Sequence, residues 1–226
     1  MLCSMLLRNK EKCLISIENL TFSYEKGLTI FNNASFEIMP SEILGVYGEN
    51  GSGKTTLFKI LNKQLKAHWK EFYEKENLRI AILNQNDREM TIGSPLNVME
   101  LLMMYLITIH RYKRKEAIKL AKTYLTRYGL LKLSKQQLKN LSGGQIQLVM
   151  IIKTILSFAD LILLDEPFAA LDELTQQKIL SMIQKLKQEG KTIVVIIHDP
   201  SLLNSLCDRI LLCKDGKLQE VDNAKL

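Results

Sequence analysis

The stretch GENGSGKT, from Gly48 to Thr55, has the residue types and the spacing of a phosphate-binding loop. It lies between an apolar run that predicts a strand, EILGVY, and a periodic run that predicts a helix, TLFKIL. Glycines allow consecutive backbone N–H groups to turn toward one anion, and the N-terminus of the helix adds partial positive charge. The sequence therefore predicts a nucleotide phosphate site formed by Gly48, Asn50, Gly51, Ser52, Gly53, Lys54, Thr55 and Thr56.

Four side chains, two of them in this loop, have the chemistry of phosphoryl transfer. The Lys54 ammonium is expected to reach the β- and γ-phosphates, and the Thr55 hydroxyl is expected to bind Mg²⁺. In LILLDEP, Asp165 stands at the carboxyl end of an apolar run that predicts a strand, and Glu166 follows it. Open α/β sheets bind ligands at that end of their strands. We expect Asp165 to contact Mg²⁺ and Glu166 to activate a water beside the γ-phosphate.

Two further polar residues also follow predicted strands. His198 follows the apolar run in TIVVIIHD, where it is placed to hydrogen-bond the γ-phosphate, although a lone histidine is more often structural. Gln85 follows LRIAILN, and its amide is placed to contact the metal or the attacking water. Position alone does not separate this role from a structural one. Both residues are candidate catalytic residues, and Gln85 is also a candidate metal ligand.

A pair of glycines stands in front of a long apolar run in LKNLSGGQIQLVM, Leu138–Met150. Glycine packs no side chain and loses much entropy on ordering, so a pair at this position needs another purpose. Ser142 can cap the helix that follows, and the N-terminus of that helix is then a second anion-binding end. The chain thus has two such helix ends but one obvious lysine. A two-fold dimer accounts for both helix ends, because each nucleotide would lie between one subunit's phosphate loop and the other subunit's LSGGQ.

The elements that must position these residues alternate along the chain. Short runs within residues 14–38 predict two antiparallel strands, and helical periodicity alone occupies residues 86 to about 140. Elsewhere strands and helices alternate, which predicts an α/β fold. Its mostly parallel, doubly wound sheet would carry an antiparallel β sub-domain and an inserted helical sub-domain. The predicted parts of this single domain, 1–226, are a core of residues 1–85 and 159–226 and a helical sub-domain of residues 86–158 that carries LSGGQ.

Composition restricts the class of protein. The 226 residues are 46% hydrophobic and 24% charged, which is typical of a globular chain rather than a disordered one. Four cysteines without a C-x-x-C pair indicate neither a disulfide framework nor a zinc ribbon, and so a reducing compartment. The longest charge-free apolar run, nine residues from Leu101 to Ile109, is too short to span a bilayer. Since MLCSMLLRNKEK lacks a secretory pattern, we expect a soluble, cytoplasmic protein.

The net charge is +7, and five cations cluster in and before one predicted helix, at Arg111, Lys113, Arg114, Lys115 and Lys119. Such a cluster can face nucleic acid or an anionic membrane surface. A solvated helix face is the favoured interpretation, because no aromatic platform and no known nucleic-acid motif accompanies the cluster. We expect no nucleic-acid partner.

The set Tyr24, GENGSGKT, Gln85, LSGGQ, LILLDEP, AALD and IIHD resembles the nucleotide-binding subunit of ABC transporters, in the family's order and over roughly residues 14–220. The resemblance implies a P-loop NTPase fold with a RecA-like core. It implies that Tyr24 stacks on adenine, that Gln85 couples the site to a membrane subunit, and that Asp172 belongs to the loop that crosses the dimer interface. The residues expected to face the partner's ATP are Ser142, Gly143, Gly144 and Gln145.

Three positions depart from the family pattern. Ile146 follows LSGGQ where a polar or basic residue is usual, and Leu148 stands where arginine is usual. These changes are expected to weaken polar contacts of the signature helix. Asn84 precedes Gln85 where proline is common. No ligand to ATP is removed, so the resemblance implies an active ATPase that requires ATP and Mg²⁺.

The resemblance implies a motor subunit that forms a homodimer around two ATP molecules. It would drive solute transport by separate transmembrane permease subunits, as a peripheral protein on the inner face of the cell membrane. The segment DREMTIGSPLNVMELLMM resembles that of metal-ion and metal-chelate importers, which points to metal-ion import. Three of its methionines, Met99, Met103 and Met104, line either a groove for the membrane partner or, more commonly for a helix face, the core. The alternative function is a soluble ABC ATPase that assembles or remodels a protein complex.

Overall fold

The structure is a computed structural model that describes residues 12–24, 27–84 and 93–221. The strands are β1 (Ile15–Ser23), β2 (Thr29–Ile38), β3 (Ile43–Tyr47), β4 (Glu71–Glu74), β5 (Ile80–Leu83), β6 (Leu161–Asp165), β7 (Thr192–Ile196), β8 (Arg209–Lys214) and β9 (Lys217–Val221). The helices are α1 (Lys54–Leu61), α2 (Val98–His110), α3 (Arg114–Arg127), α4 (Gly143–Ile155), α5 (Glu173–Gln188) and α6 (Pro200–Leu206). Within these described ranges, no helix combines the length and apolar character needed to cross a membrane.

Six strands form one sheet in the order β5-β6-β7-β3-β8-β9. β3 pairs in parallel with β7 and β8, and β6 pairs in parallel with β7, whereas β8 and β9 form an antiparallel hairpin. β6 and β7 are buried at every position, and β3 is buried at every position except Tyr47. Continuous burial of this kind is expected of parallel strands that are shielded on both faces. The predicted mostly parallel, doubly wound sheet is confirmed.

A second sheet has the strand order β2-β1-β4 and is antiparallel throughout. The β1–β2 pairing shifts register between Ile17 and Leu20, where Asn19 has a φ of 56°. Asparagine tolerates this left-handed conformation better than most residues do. The sequence did not predict β4, because EFYE is only four residues long. It has a glutamate at each end and two adjacent aromatic residues between them, so it does not alternate polar and apolar residues. β4 instead depends on its pairing with Ile15–Glu18 of β1.

The helix that follows the phosphate loop is anchored in the main hydrophobic cluster. Leu57 and Phe58 of α1 are at most 1% exposed, and they belong to the same cluster as Phe31 of β2 and Val46 of β3. Removing a buried phenylalanine side chain typically costs 3–5 kcal/mol of stability. The loop is therefore held between a buried strand and a buried helix.

The chain divides into two compact units. The core unit takes residues up to Ile82, Asp160–Glu166 and residues from Ile183 onward, and the helical unit takes Leu83–Ala159 and Pro167–Met182. In the helical unit, α2 packs against α3, and each helix buries a stripe of residues four apart. The stripes are Val98, Leu102 and Leu106 in α2, and Ala117, Ala121 and Leu125 in α3. The predicted assignment of residues 86–158 to one helical sub-domain stays a prediction.

Candidate nucleotide-binding and catalytic site

The phosphate loop joins β3 to α1 through a backbone that requires glycine at two positions. Gly48 has a φ of 151° and Gly53 has a φ of 105°, both of which L side chains rarely adopt. A Cβ on Gly48 would lie 2.3 Å from the Cys213 carbonyl oxygen, and a Cβ on Gly53 would lie 2.6 Å from Ile30 Cγ2. The loop is packed too closely against its neighbours to carry side chains there. This is the arrangement expected where backbone N–H groups bind an anion.

Lys54, the first residue of α1, folds back along the loop. Its ammonium donates hydrogen bonds to the carbonyl oxygens of Gly48 and Glu49, each 2.8 Å away, and the residue is only 6% exposed. Burial lowers the pKa of Lys54, while the nearby carboxylates of Glu166 and Asp165 act in the opposite direction. The loop therefore holds a cation within electrostatic reach of the acidic pair.

Asp165, the last residue of β6, lies beside the phosphate loop. The Thr55 hydroxyl lies close enough to its carboxylate to affect the pKa of Asp165, so a hydroxyl oxygen and a carboxylate oxygen come together here. Burial raises the pKa of Asp165, as does the charge of Glu166, whereas the Thr55 hydroxyl and the charges of Lys54 and His198 lower it. Mg²⁺ is usually bound by one or two carboxylates together with substrate phosphates, so this pair fits a nucleotide-bound Mg²⁺.

The described residues contain no group of three or more His, Cys, Asp or Glu side chains that could hold a metal ion on its own. Thr55 and Asp165 are the predicted ligands that the structure brings together. Gln85, the third predicted ligand and a predicted catalytic residue, lies outside the described residues.

The Glu166 and His198 side chains follow neighbouring parallel strands, β6 and β7, and meet at the edge of the sheet. Glu166 Oε1 lies 2.7 Å from His198 Nε2, which is a hydrogen-bond distance. Glu166 has a φ of 49°, an uncommon conformation for a residue with a Cβ and one that occurs repeatedly at active sites. The side chains are 31% and 42% exposed, respectively. Water can therefore reach the Glu166 carboxylate, as a residue that activates water requires.

Tyr24 lies beside the same loop. Its hydroxyl is 3.2 Å from Thr56 Oγ1, and its ring packs edge-on against Phe22 with 5.0 Å between ring centroids. Tyr24, Leu28 and Ile30 line a cavity of about 300 Å³ together with residues of the phosphate loop and Glu166. An aromatic ring at the wall of this cavity is compatible with contact to a nucleotide base. Within the core unit, the structure thus brings together the loop residues, Tyr24, Asp165, Glu166 and His198.

The LSGGQ motif lies in the helical unit, where Ser142 is the N-cap of α4. The Ser142 hydroxyl accepts a hydrogen bond from the Gln145 backbone N–H, and the Gln145 side-chain oxygen accepts one from the Ser142 backbone N–H. These two bonds form a capping box. A Cβ on Gly144 would lie 3.0 Å from the Thr175 side chain, whereas Gly143 is exposed at the first turn of α4. The motif therefore has local structural roles in addition to the predicted contacts with a partner's ATP.

Asp172, also in the helical unit, caps the start of α5. Its carboxylate accepts hydrogen bonds from the Thr175 backbone N–H at 2.9 Å and from the Thr175 hydroxyl at 2.8 Å. These bonds lower the pKa of the Asp172 carboxyl. Thr175 thus binds Asp172 of the predicted interface loop and also lies next to Gly144. The sequence analysis missed Thr175, although Asp172, an N-cap residue type directly before a helical run, is a helix-start signal.

Two more contacts of candidate site segments were not predicted. The buried Cys213 thiol donates a hydrogen bond to the Ser52 carbonyl oxygen at 2.8 Å, so β8 supports the back of the phosphate loop. Burial raises the pKa of that thiol. In the helical unit, the buried Gln147 side chain donates to the Pro167 carbonyl oxygen at 3.1 Å. The sequence did contain a signal for Gln147, because this polar residue stands between the apolar residues Ile146 and Leu148.

Comparison with known proteins shows which family this chain is similar to. A family model described as ABC transporter matches residues 31–169. The manganese transport system ATP-binding protein MntB of Bacillus subtilis (strain 168) is 30% identical over 208 residues, which cover 88% of this chain and 82% of that protein.

Two solved structures are similar over nearly the whole chain. A metal-chelate type ABC transporter in an inward-facing conformation has a TM-score of 0.81 and 27% identity, with 95% of this chain and 84% of that chain covered. An ATP-binding cassette in a dimeric post-hydrolysis state, bound to ADP and Pi, has a TM-score of 0.79 and 27% identity. That match covers 92% of this chain and 98% of the other. The predicted P-loop ATPase fold is confirmed.

Proposed function

This chain belongs to the ABC transporter family, and we propose that it is the subunit that converts ATP hydrolysis into solute movement through separate transmembrane permease subunits. The predicted ATPase activity and the requirement for ATP and Mg²⁺ are confirmed by the family membership. The observation that carries the proposal is the assembly of one phosphoryl-transfer site from four separate segments of the core unit. These segments are the phosphate loop, the end of β6, the end of β7 and the segment that holds Tyr24.

In the proposed mechanism, loop N–H groups and Lys54 bind the phosphates of ATP. Thr55 and Asp165 would hold Mg²⁺, which would supply positive charge against the phosphates, and Gln85 is proposed as a further ligand. Glu166 orients and deprotonates the attacking water. His198, at 2.7 Å from Glu166, fixes that carboxylate and reaches toward the γ-phosphate.

We also propose that two copies of the chain form the complete site. A helix N-terminus and its N–H groups attract anions, and Gly143 leaves the start of α4 exposed. In the ATP-bound homodimer, Ser142, Gly143, Gly144 and Gln145 would face the partner's γ-phosphate. Asp172 would lie in the loop that crosses the interface, and Tyr24 would stack on adenine. The relative with ADP and Pi was observed as a dimer, which supports this proposal.

For the cargo, we propose a metal ion or metal chelate. The supports are the similarity to a manganese transport protein and to a metal-chelate type transporter, together with the segment that contains Met99 and Met103. The chain would then act as a cytoplasmic, peripheral protein on the inner face of the cell membrane, with Gln85 next to the permease. No nucleic-acid partner is proposed.

The proposed ATPase site is tested by Lys54→Ala, because this change removes the cation that the loop holds. We expect Mg²⁺-dependent ATP hydrolysis and tight ATP binding to be lost while the melting temperature without nucleotide stays near that of the parent. Lys59→Ala, at an exposed position of the same helix, is the matched control and should keep both. Parent-like hydrolysis by Lys54→Ala would contradict the site assignment. Co-purification with a multispan membrane protein tests the transport role separately.

A further inference from the structure

The positive charge of this chain is concentrated in one part of it. Residues 93–159 contain eleven Lys and Arg but only two Glu and no Asp, although the whole chain has 31 basic and 24 acidic residues. The excess in this segment is larger than the net charge of +7 of the entire chain, so the rest is slightly acidic. Charge that is segregated in this way indicates a surface that attracts an anionic partner.

The centre of this charge is one face of α3. Lys115, Lys119 and Lys122 are all exposed and follow each other at i, i+4 and i+7, so they form one stripe along the helix. The opposite face holds the buried residues Ala117 and Ala121. None of the three lysines makes an ion pair with the carboxylates of residues 12–24, 27–84 or 93–221.

This arrangement is unfavourable for the isolated helix. Like charges at i and i+4, such as Lys115 and Lys119, repel each other and destabilise a helix. Lys113, Arg114 and Lys115 also stand at the N-terminus of α3, where the helix dipole favours negative charge. The acidic residue in the first turn, Glu116, accepts a hydrogen bond from the Lys113 backbone N–H and so serves as a cap. A solvated face would carry interspersed acids, whereas a face that meets an anionic surface would not.

Aliphatic side chains accompany the lysine stripe. Ile118 lies beside it on α3 and is 36% exposed, and Ile109 near the end of α2 is 57% exposed. The exposed large apolar residues of α2 and α3 are aliphatic or methionine, so bases of a nucleic acid find no exposed aromatic ring there on which to stack. Lysines next to exposed aliphatic groups are the pattern of helices that lie at a lipid headgroup layer.

We infer that the lysine stripe of α3, formed by Lys115, Lys119 and Lys122, binds the anionic lipid headgroups of a membrane surface. The choice of a lipid surface rests on the proposed transport function, which places the chain next to a membrane. Each lysine near an anionic surface contributes attraction that falls off within a Debye length. The stripe would add direct lipid contact to the docking of the chain on its permease.

Binding of the full-length chain to protein-free vesicles tests this inference. The vesicles contain phosphatidylcholine alone or phosphatidylcholine with phosphatidylglycerol, and bound protein is measured by flotation at low and at high salt. The test variant is Lys115→Gln/Lys119→Gln/Lys122→Gln. The matched control is Lys66→Gln/Lys70→Gln/Lys75→Gln, which removes the same charge from exposed positions of the core unit. Mg²⁺-dependent ATP hydrolysis and thermal unfolding show that each variant is folded.

We expect the parent and the control to bind phosphatidylglycerol vesicles at low salt and to be released at high salt. The test variant should bind roughly a hundredfold more weakly if all three lysines reach the surface, while its ATPase activity is unchanged. Equal binding by parent and test variant would overturn the inference, as would equal losses in both triple variants. The inference would also be overturned if the parent did not bind these vesicles but bound an oligonucleotide through the same lysines. If the parent itself showed no Mg²⁺-dependent ATP hydrolysis, that result would instead contradict the proposed function.

Discussion

The Thr55 hydroxyl lies close enough to the Asp165 carboxylate to lower its pKa, and so the phosphate loop meets the end of β6. β7 lies between β3 and β6 in the sheet, so the contact forms because the loop after β3 and the end of β6 reach the same edge. A hydroxyl and a carboxylate oxygen at that edge are the hard ligands that Mg²⁺ prefers. We therefore propose this pair as the structural basis for metal-dependent hydrolysis in this chain.

Thr55→Val is predicted to raise the Mg²⁺ concentration that hydrolysis requires. Valine keeps the shape of threonine but removes the hydroxyl that we propose as a metal ligand next to Asp165. We expect a loss of at least about 10–100-fold in metal affinity or in activity at fixed Mg²⁺, because changes to the outer-shell partners of metal ligands already cost that much. ATPase rates measured against Mg²⁺ concentration provide the check, and Thr55→Ser, which keeps the hydroxyl, should remain close to the parent. Identical Mg²⁺ dependence in the valine and serine variants would exclude Thr55 as a ligand.

Asp165→Asn is predicted to stabilise the protein without nucleotide while it abolishes Mg²⁺-dependent hydrolysis. Burial raises the pKa of Asp165, so the charged carboxylate weakens the folded state above the folded pKa. The folded state binds the proton more tightly than the unfolded chain, and stability from this group therefore falls as pH rises through the folded pKa. Thermal unfolding should show a higher melting temperature for the variant at pH 7. This gain should vanish below the unfolded pKa, near 3.8; a gain that persisted at low pH would have another cause.

Gly53→Ala is predicted to destabilise the chain more than Gly51→Ala does, although both glycines have positive φ. An added Cβ at Gly51 meets nothing within 4 Å, so only backbone strain of about 1–2 kcal/mol is expected. A Cβ at Gly53 would meet Ile30 Cγ2 at 2.6 Å, which adds an overpacking cost of roughly 1–3 kcal/mol. Thermal unfolding without nucleotide compares the two variants, and equal melting temperatures would show that the loop adapts to the side chain.

Much of the core could be predicted from local sequence signals. β3, β6 and β7 are continuous apolar runs, and the phosphate loop, Asp165 and His198 are each next to one of them. Parallel strands place their carboxyl ends at one edge, so order along the chain was enough to group these residues. The polar contact between Glu166 and His198 follows from the adjacency of β6 and β7.

Other features depend on contacts that no local pattern encodes. β4 owes its strand conformation to pairing with β1, since EFYE lacks alternation. Thr175 and Cys213 support site segments through hydrogen bonds to residues that the sequence does not mark as their partners. The glycine at position 144 was interpreted as an opening for a phosphate, but it also has a packing reason, because Thr175 occupies the space a Cβ would need. A substitution at Gly144 would affect both the packing against Thr175 and the predicted phosphate contact at once.

Gly143 offers a cleaner test, because it is exposed at the first turn of α4. An aspartate at a helix N-terminus is favourable for the helix itself, so Gly143→Asp should not weaken the fold. If LSGGQ faces the partner's γ-phosphate, however, the added carboxylate would repel that phosphate. Gly143→Asn has almost the same size without the charge and serves as the matched control.

The most direct test of the nucleotide-bridged dimer starts from Glu166→Gln, which keeps the size of the side chain but removes the base. Hydrolysis should fall by about 10²–10⁴-fold, so bound ATP persists and a dimer should accumulate. Size-exclusion chromatography with Mg-ATP is then run on Glu166→Gln alone and with Gly143→Asp or Gly143→Asn. We predict a dimer for Glu166→Gln, a larger dimer fraction with Asn than with Asp, and ATP binding by all three. An undiminished dimer peak in Glu166→Gln/Gly143→Asp would contradict a site in which LSGGQ faces the nucleotide across the interface.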